Sequence, residues 1–180
     1  MDWRNNKLMS EFVKSLIKDI IIALLLAAAI LFFIRPTVVR GVSMQDTLNP
    51  GDYLIMYRQA YRNKDPQRGD IVILHSELKD ENGNDKLLIK RVIGLPGDTI
   101  TIRNGQVYIN GDKYNENYLR DGYTTENGTW KVPENSYFVM GDNRVESYDS
   151  RAPEIGYIGK DQIRGRAVVR LFPFNKITKL

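Results

Sequence analysis

A long apolar run near the N-terminus precedes a chain in which short apolar and polar stretches alternate. Residues Ile20–Ile34 carry no charge, and Leu16 and Ile17 extend the run toward the ~20 residues that a helix needs to cross a bilayer. We therefore expect a transmembrane anchor over residues 16–34, preceded by a short cytoplasmic tail over residues 1–15.

The alternative for this segment is a cleavable leader, because Ala27–Ala29 supplies small residues of the kind found at cleavage sites. The apolar run continues beyond them through Phe33, which favours an anchor. More basic residues precede the run than follow it closely. Those that precede it are Arg4, Lys7, Lys14 and Lys18. Since basic flanks stay on the cytoplasmic side, the pattern predicts a single-pass plasma-membrane protein with residues 35–180 outside the cytoplasm.

After the anchor, short runs rich in Ile, Val, Leu and Tyr are bounded by turn residues, which is typical of β-strands. The predicted strands are Asp52–Arg58, Asp70–Leu74, Lys86–Ile93, Thr99–Arg103, Gln106–Ile109 and Ser136–Met140. Asn104–Gly105 and Asn110–Gly111 each predict a tight hairpin turn, because Asn and Gly tolerate the positive φ that such turns need.

Polar stretches separate some of these strands. We expect Glu77–Asp85 to be a loop and Asp112–Lys131 to be a longer, partly irregular excursion. The predicted fold class is mainly β: an antiparallel, twisted and barrel-like sheet domain over residues 35–180, after one transmembrane helix. Within it, residues from about 104 to about 135 are expected to form a smaller hairpin or cap.

Composition narrows the possible chemistry. The chain has 180 residues, no cysteine and one histidine, so disulfides, thiol catalysis and a zinc centre built from several histidines or cysteines are excluded. A catalytic triad could be built only around His75. The 26 basic and 22 acidic residues give a formal charge of +4, which is too small and too scattered for a nucleic-acid-binding face. Neither a cofactor nor a metal is indicated.

Ser43 lies in the segment Arg40–Leu48, between the predicted anchor and the first predicted strand. It follows Ile34 so closely that it can be at most ~30 Å from the end of the anchor. A serine near a glycine is commonly a turn residue. The segment by itself leaves a turn residue and a catalytic nucleophile both open.

Lys90 and Arg91 interrupt the apolar strand Lys86–Ile93. Strand alternation places Lys90 between Leu88 and Val92 on one face, with Arg91 on the other face. Burial disfavours the ammonium form, and a lysine whose pKa falls to roughly 7–8 can act as a general base. The alternative is an edge strand on which the lysine reaches solvent.

A dense polar cluster follows the predicted strand that ends at Met140. Its charged residues include Asp142, Arg144, Asp149 and Arg151. They can pair with one another or with Arg91. By itself, this pattern is typical of a structural ion-pair corner.

Four segments, in a fixed order after one membrane anchor, carry a family resemblance. They are GVSMQDTL around Ser43, RGDIVIL, KRVIGLPGD beginning at Lys90, and GDNRVESYDSR. Together they resemble the sequence boxes of bacterial type I signal peptidases, the serine–lysine leader peptidases, and the single span resembles the Gram-positive form. The resemblance extends from the anchor to Leu180. It implies the twisted β scaffold that this family shares with the self-cleaving SOS-response repressors.

The resemblance also implies roles for single residues. Ser43 matches the nucleophile, Lys90 matches the general base, and Ser147 matches the serine whose hydroxyl orients the lysine. Two acid–base pairs are implied to support this site. They are Asp149 with Arg151, and Asp142 with Arg91. The positions that match the pockets for small substrate residues are Met44, Leu48, Leu88 and Ile89.

The chain departs from the family pattern at three positions. Asp46 stands where proline is usual, and Glu146 stands where asparagine is usual. Gly41 stands where some members carry a hydroxyl side chain that completes the oxyanion hole. An oxyanion hole here would therefore depend on backbone N–H groups, chiefly that of Ser43.

The implied function is that of a membrane-bound serine endopeptidase. It would remove N-terminal signal peptides from secretory preproteins after small residues in an Ala-x-Ala pattern. We expect a monomer that works beside membrane lipid, without a cofactor and without nucleic acid. Two alternatives stay open: a dedicated processing peptidase for pilin-like or surface proteins, and a non-catalytic, membrane-tethered β binding module.

Leu171–Phe174 supplies further apolar groups near the C-terminus. The default interpretation is that both phenylalanines are buried in the core. The alternative is an exposed patch that enters the lipid interface, with Lys176 and Lys179 facing anionic head groups.

Overall fold

The computed structural model describes residues 2–45, 47–79, 83, 85–119 and 123–180. These residues fall into two compact units, one over residues 1–35 and one over residues 36–180.

The N-terminal unit consists mainly of one helix, α1, over Asp2–Phe33. Within it, Met9–Phe33 is long and apolar enough to cross a membrane. The predicted N-terminal apolar helix is therefore confirmed.

The described residues contain twelve strands. They are β1 (Ile34–Val38), β2 (Tyr53–Tyr57), β3 (Ile71–Lys79), β4 (Asp85–Gly94), β5 (Thr99–Arg103), β6 (Gln106–Ile109), β7 (Asp112–Lys113), β8 (Gly128–Lys131), β9 (Ser136–Met140), β10 (Ile158–Gly159), β11 (Ile163–Phe172) and β12 (Thr178–Lys179). Two short 3₁₀ helices, Lys160–Gln162 and Phe174–Lys176, flank β11.

The larger sheet has eight strands in the order β1-β2-β11-β3-β4-β9-β10, with β12 paired to β11. The pairings from β2 to β10 along this order are antiparallel. The smaller sheet has the order β7-β6-β5-β8 and is also antiparallel. The predicted mainly β, antiparallel fold class is confirmed.

The β5–β6 hairpin shows how the sequence fixes a turn. Asn104 and Gly105 both adopt positive φ, 51° and 75°, and they join strands that pair from Arg103 with Gln106 to Ile100 with Ile109. Positive φ at both central residues suits the right-handed twist of a hairpin, which is why an Asn-Gly pair is favoured there.

The loop predicted over Glu77–Asp85 is shorter than expected, because β3 continues to Lys79 and β4 begins at Asp85. Residues 80–82 and 84 of this predicted loop lie outside the described residues. The hairpin is longer than the apolar pattern indicates because two strands can pair through polar side chains once their buried halves have set the register.

The predictions omitted β11, although it lies between β2 and β3 in the larger sheet. Its arginines mask the strand pattern. Arg166 lies 3.1 Å from Asp70, and Arg170 lies 3.2 Å from Asp52. Because both acids precede neighbouring strands, charges that look like a solvated face in sequence are paired within the sheet.

Three apolar clusters form the core of residues 36–180. One of them joins the two sheets, since Ile93, Phe138 and Met140 of the larger sheet pack with Ile100 and Ile102 of the smaller one. The smaller sheet is therefore fixed against β4, which carries Lys90 and Arg91, and against β9, which the polar cluster follows.

Candidate active site

Ser43 lies in a turn between β1 and β2. The N–H of Gln45 donates to Val42 O at 3.0 Å, and that of Leu48 donates to Met44 O at 2.7 Å, which winds this segment into tight turns. Met44 and Leu48 are fully buried and anchor the turn in the core. Ser43 itself is half-buried, so its hydroxyl is held on a fixed backbone that still reaches the surface.

Lys90 is on β4, which lies between β3 and β9 and is therefore an interior strand. Its side chain is one of the largest fully buried groups, with 2% of the residue exposed. The edge-strand alternative is wrong for this residue. Burial, which disfavours the ammonium, lowers the pKa of Lys90 from 10.5 to about 8, against an opposing attraction from Asp149.

The Lys90 ammonium has a defined hydrogen-bond partner. Its Nζ donates to Ser147 Oγ at 3.0 Å. Ser147 Oγ in turn donates to Asp149 Oδ2 at 2.6 Å. Because a hydroxyl has one proton to donate, Ser147 meets Lys90 as an acceptor, and the lone pair of a neutral Lys90 amine is left for another proton donor.

Asp149 is held by Arg151. The guanidinium donates to both carboxylate oxygens, at 2.8 Å from Nε and 3.0 Å from Nη2. Arg151 Nη2 also donates to the carbonyl of Ser147 at 3.1 Å. Both charged residues are buried, so this bidentate pair fixes the backbone and the acceptor that orient the Ser147 hydroxyl.

Gly141 connects the Ser43 turn to the polar cluster. Its N–H donates to Ser147 Oγ at 3.1 Å and to Asp149 Oδ2 at 2.9 Å. A Cβ on Gly141 would lie 2.2 Å from Ser147 Oγ and 2.3 Å from Ser43 O. Since both oxygens approach the same point, they are no more than about 4.5 Å apart. Ser43, Ser147 and Lys90 are therefore brought to one place in the fold.

Arg91 and Asp142 form the second implied acid–base pair. Arg91 donates to both oxygens of Asp142, at 2.9 and 2.7 Å, and to Gly69 O at 2.9 Å. Arg91 and Asp142 are both buried. The pair ties β4 to the residue that follows Gly141.

The four apolar residues suggested for substrate pockets separate into two clusters. Met44 and Leu48 belong to one apolar cluster, and Ile89 packs against it. Leu88 packs against a different cluster, because adjacent residues of a strand face opposite sides. The structure therefore brings three of these four residues together.

The positions that depart from the family pattern lie near the surface or outside the described residues. Gly41 is exposed, and no atom of the described residues lies within 4 Å of where its Cβ would be. Glu146 is exposed, and its N–H donates to Asn143 Oδ1 at 3.3 Å. Asp46 lies outside the described residues.

His75 is on β3, and its Nε2 lies 3.1 Å from Asp85 at the start of β4. Asp85 also pairs with Lys79. In the antiparallel register, His75 lies opposite Leu87, whereas Lys90 lies opposite Val72. A triad centred on His75 would therefore have to be built around Asp85, away from the Ser147–Asp149 network.

Sequence reasoning missed two contacts that hold this site. Asn143 N donates to Ser43 O at 3.0 Å, and Asn143 Nδ2 donates to Val42 O at 3.3 Å, so one residue fastens the Ser43 turn to the polar cluster. Arg144, named only as a possible ion-pair member, is paired with Glu116 of the irregular excursion. The dense polar cluster indicated ion pairs for Arg144, but no sequence pattern singled out Asn143 or Glu116.

The arrangement has the components of an acyl-transfer site. A half-buried hydroxyl lies in a fixed turn, a buried amine has a lowered pKa, and a hydrogen-bonded carboxylate system orients that amine. Activation of a serine by an adjacent base oriented by a third group is the general pattern of nucleophilic catalysis.

Comparison with known proteins gives consistent matches. The family described as "Signal peptidase, peptidase S26" matches residues 12–172. Signal peptidase I of Bacillus amyloliquefaciens is 43% identical over 173 residues, which cover 90% of this chain and 89% of the relative. Signal peptidase I of Bacillus licheniformis is 40% identical over 179 residues, which cover 94% of this chain and 91% of the relative.

A solved structure agrees with these matches. The crystal structure of a signal peptidase I from Enterococcus faecalis V583 is similar with a TM-score of 0.50 and 34% sequence identity. The similarity covers 58% of this chain and 98% of that one.

Proposed function

Since this chain belongs to the signal peptidase family, peptidase S26, and is a membrane-bound peptidase that removes signal peptides, we propose that it works through a dyad of Ser43 and Lys90. The observation that carries the proposal is the buried Lys90 amine, 3.0 Å from Ser147 Oγ and next to the turn that holds Ser43.

Lys90 is the general base of the proposed reaction. With a pKa of about 8, roughly one tenth of the amine is neutral at pH 7, whereas a lysine with the ordinary pKa of 10.5 is almost entirely protonated. The neutral Nζ donates to Ser147 Oγ and directs its lone pair to Ser43 Oγ.

The reaction follows from these positions. Lys90 Nζ takes the Ser43 hydroxyl proton while Oγ attacks the scissile carbonyl carbon, which gives a tetrahedral oxyanion. The C–N bond then breaks, and the Lys90 ammonium gives its proton to the leaving amine. A water molecule, deprotonated by Lys90, next attacks the carbonyl carbon of the acyl-enzyme. The bond from that carbon to Ser43 Oγ breaks, Lys90 returns the proton to Oγ, and the carboxylate product leaves.

The oxyanion is stabilised by backbone donors. The Ser43 N–H is the principal one, because it is attached to the nucleophile's own residue. Gly41 offers no side-chain donor to the oxyanion. This arrangement makes the hole weaker than one with an added hydroxyl.

The substrate class is a preprotein with small residues one and three positions before the cleaved bond. This assignment is supported by Ile89, which is partly exposed and packs against the cluster of Met44 and Leu48, two fully buried side chains that form a rigid apolar wall behind it. A bulky substrate side chain would clash with such a wall, whereas alanine would fit.

The enzyme is anchored by residues 16–34 in the plasma membrane, with residues 1–15 in the cytoplasm and residues 35–180 outside it. The excess of basic residues before the apolar run supports this orientation. Ser43 follows the anchor closely in sequence, so a monomer can meet a signal peptide's cleavage point where it leaves the bilayer.

The experiment that tests the proposal compares the full chain with its Ser43→Ala variant, both purified in detergent and incubated with a preprotein. The wild type should release the mature protein and the variant should not, with equal expression and membrane insertion. Substantial cleavage by Ser43→Ala would remove Ser43 from the nucleophile role. A panel of preproteins and pilin-like precursors in the same assay separates general secretion from dedicated processing.

A further inference from the structure

The segment Tyr114–Leu119 of the irregular excursion contacts the polar cluster through two side chains. Glu116 accepts from both terminal nitrogens of Arg144, at 3.0 Å from Nη1 to Oε2 and by a shorter bond from Nη2 to Oε1. Arg144 and Glu116 are both nearly inaccessible, with side-chain exposures of 2% and 8%. The excursion therefore supplies the partner of a buried charge.

Tyr118 forms the second connection. Its hydroxyl donates to Glu116 Oε1 at 2.6 Å, and the Arg91 guanidinium lies 3.9 Å from the centre of its ring. Arg91 also forms the bidentate pair with Asp142. Tyr118 thus orients Glu116 at one end and packs against Arg91 with its face, a favourable geometry for a cation.

Both connections end at Gly141 and Asp142, and Gly141 lies in space between Ser43 and Ser147. Arg144 Nε donates to Gly141 O at 3.0 Å, and Arg91 holds Asp142, the next residue. Ser43 O and Ser147 Oγ both approach Gly141 closely, within 2.3 Å of the point where a Cβ would stand. A change in the position of Arg144 is therefore transmitted to the distance between the Ser43 turn and the Ser147 hydroxyl.

We propose that Glu116 and Tyr118 are positioning residues that hold Gly141, through Arg144 and Arg91–Asp142, at the place where Ser147 orients Lys90 toward Ser43. This inference rests on the proposed dyad. It adds a role for the segment between β7 and β8 of the smaller sheet, whose contacts would affect kcat. Low local polarity makes these charge-assisted bonds strong, and a misplacement on the order of 1 Å can cost about 100-fold in rate.

The test measures kcat and KM of the full chain in detergent with a preprotein. Glu116→Gln keeps the shape but removes the charge that holds Arg144, so we expect kcat to fall about tenfold with KM within about twofold. The matched control is Asp112→Asn, an exposed carboxylate on β7 of the same sheet, which should leave both constants unchanged. Rates are taken well below each variant's melting temperature.

A double-mutant comparison separates positioning from a general loss of structure. In a Ser147→Ala background the route from Gly141 to Lys90 is already broken, so Glu116→Gln should reduce the residual kcat by less than about twofold. An equal loss in both backgrounds would overturn the inference, because it would mean that Glu116 acts independently of Ser147. A kcat within twofold of wild type for Glu116→Gln alone would overturn it as well.

Tyr118 provides a second pair of variants if Glu116→Gln melts at a much lower temperature. Tyr118→Phe keeps the ring against Arg91 and should lose about threefold in kcat, whereas Tyr118→Leu removes the ring and should lose about tenfold or more. Equal kcat for wild type and Tyr118→Leu would contradict the inference. The Ser43→Ala control keeps the outcomes distinct: its activity tests the dyad, and wild-type turnover by the Glu116 and Tyr118 variants rejects only the positioning role.

Discussion

Lys90 Nζ donates a 3.0 Å hydrogen bond to Ser147 Oγ, although 57 residues separate the two in sequence. The Ser147 hydroxyl donates its own proton in a hydrogen bond to Asp149 Oδ2. The contact therefore orients the amine without supplying a proton to it. A neutral lysine held in this way has its lone pair available on the other side, which is the condition for abstracting the Ser43 proton.

The first prediction concerns Lys90→Arg. A guanidinium keeps its proton at any relevant pH, so the variant should preserve the charge and lose at least 100-fold in kcat. The wild-type rate should rise about tenfold per pH unit below pH 8 and level off above it, because only the neutral amine acts as a base. Stopped assays from pH 6 to pH 10 measure both effects.

The matched control for this substitution is Lys86→Arg, since Lys86 is an exposed lysine on the same strand. It should behave as wild type. An active Lys90→Arg variant would mean that Lys90 contributes only its charge, and a wild-type rate that keeps rising to a midpoint near pH 10.5 would mean that burial does not lower the Lys90 pKa.

The second prediction is that Lys90→Met makes the protein more stable at neutral pH while abolishing cleavage. Since burial lowers the Lys90 pKa from 10.5 to about 8, the unfolded chain binds more protons than the folded one between these values. Unfolding free energy of the wild type therefore rises with pH across this window, and below it the folded state carries a cost of about 3 kcal/mol.

Methionine has a similar size and no charge to desolvate, so it should recover part of this cost. Thermal melting in detergent should place Lys90→Met above wild type at pH 7, with the difference shrinking as the pH approaches 10.5. A Lys90→Met variant that melts lower than wild type at pH 7 would show that the contacts of the ammonium stabilise the fold by more than its desolvation costs.

The third prediction concerns Gly141→Ala. The added methyl would lie 2.2 Å from Ser147 Oγ, 2.3 Å from the backbone oxygen of Ser43 and 2.7 Å from Ser147 Cβ. Rotation of the Ser147 hydroxyl would relieve only the first of these contacts. We expect kcat to fall at least 100-fold, because the Ser43 turn and Ser147 must separate. Circular dichroism and melting should still report a folded protein, and near-wild-type turnover would show that the two segments can part without consequence.

Local patterns predicted the strands better than they predicted the sheet. Lys90 and Arg91 could be placed on opposite faces from alternation alone, and β5, β6 and β9 have the predicted bounds. The burial of Lys90 could not be predicted in this way. It depends on β9 and β3 flanking β4, and the order of strands is set by long-range packing.

The contacts that support the site were the least predictable part. Glu116 lies in a polar stretch without periodicity, and its partner Arg144 is 28 residues away. The strand β11 was hidden for a related reason, since Arg166 and Arg170 look solvated until Asp70 and Asp52 are placed beside them. Charges carry little information about burial until their partners are known.

The fourth prediction is that His75→Ala leaves kcat within about twofold of wild type. His75 pairs with Asp85, which keeps Lys79 as a partner when the imidazole is removed. Loss of a partly exposed ion pair costs little stability when the remaining carboxylate keeps another partner. The preprotein assay checks this directly. Inactivation of a variant with an unchanged melting temperature would replace the serine–lysine mechanism by one that uses the histidine.

The aromatic patch near the C-terminus differs from its default interpretation. Phe172 and Phe174 are 43% and 78% exposed, so burial of both in the core is wrong. Their rings pack edge to face with centroids 5.4 Å apart, and Tyr53 packs on Phe172 at 5.8 Å. These three exposed rings, which we call the aromatic patch, lie where β2 pairs with the end of β11 because the register matches Tyr53 with Phe172.

The fifth prediction is that the aromatic patch binds lipid. Exposed aromatic rings beside the exposed Lys176 and Lys179 suit an interface with anionic head groups. A chain lacking residues 1–35 should therefore bind vesicles that contain phosphatidylglycerol, and it should cleave a preprotein faster when they are present.

Phe172→Ser with Phe174→Ser should remove both effects without lowering the melting temperature, because exposed side chains contribute little to the core. The matched control is Tyr123→Ser, which changes an aromatic residue of the excursion that is 58% exposed and should retain vesicle binding. Failure of the truncated wild type to bind, or an equal loss in the Tyr123 variant, would assign the aromatic patch a role other than lipid contact.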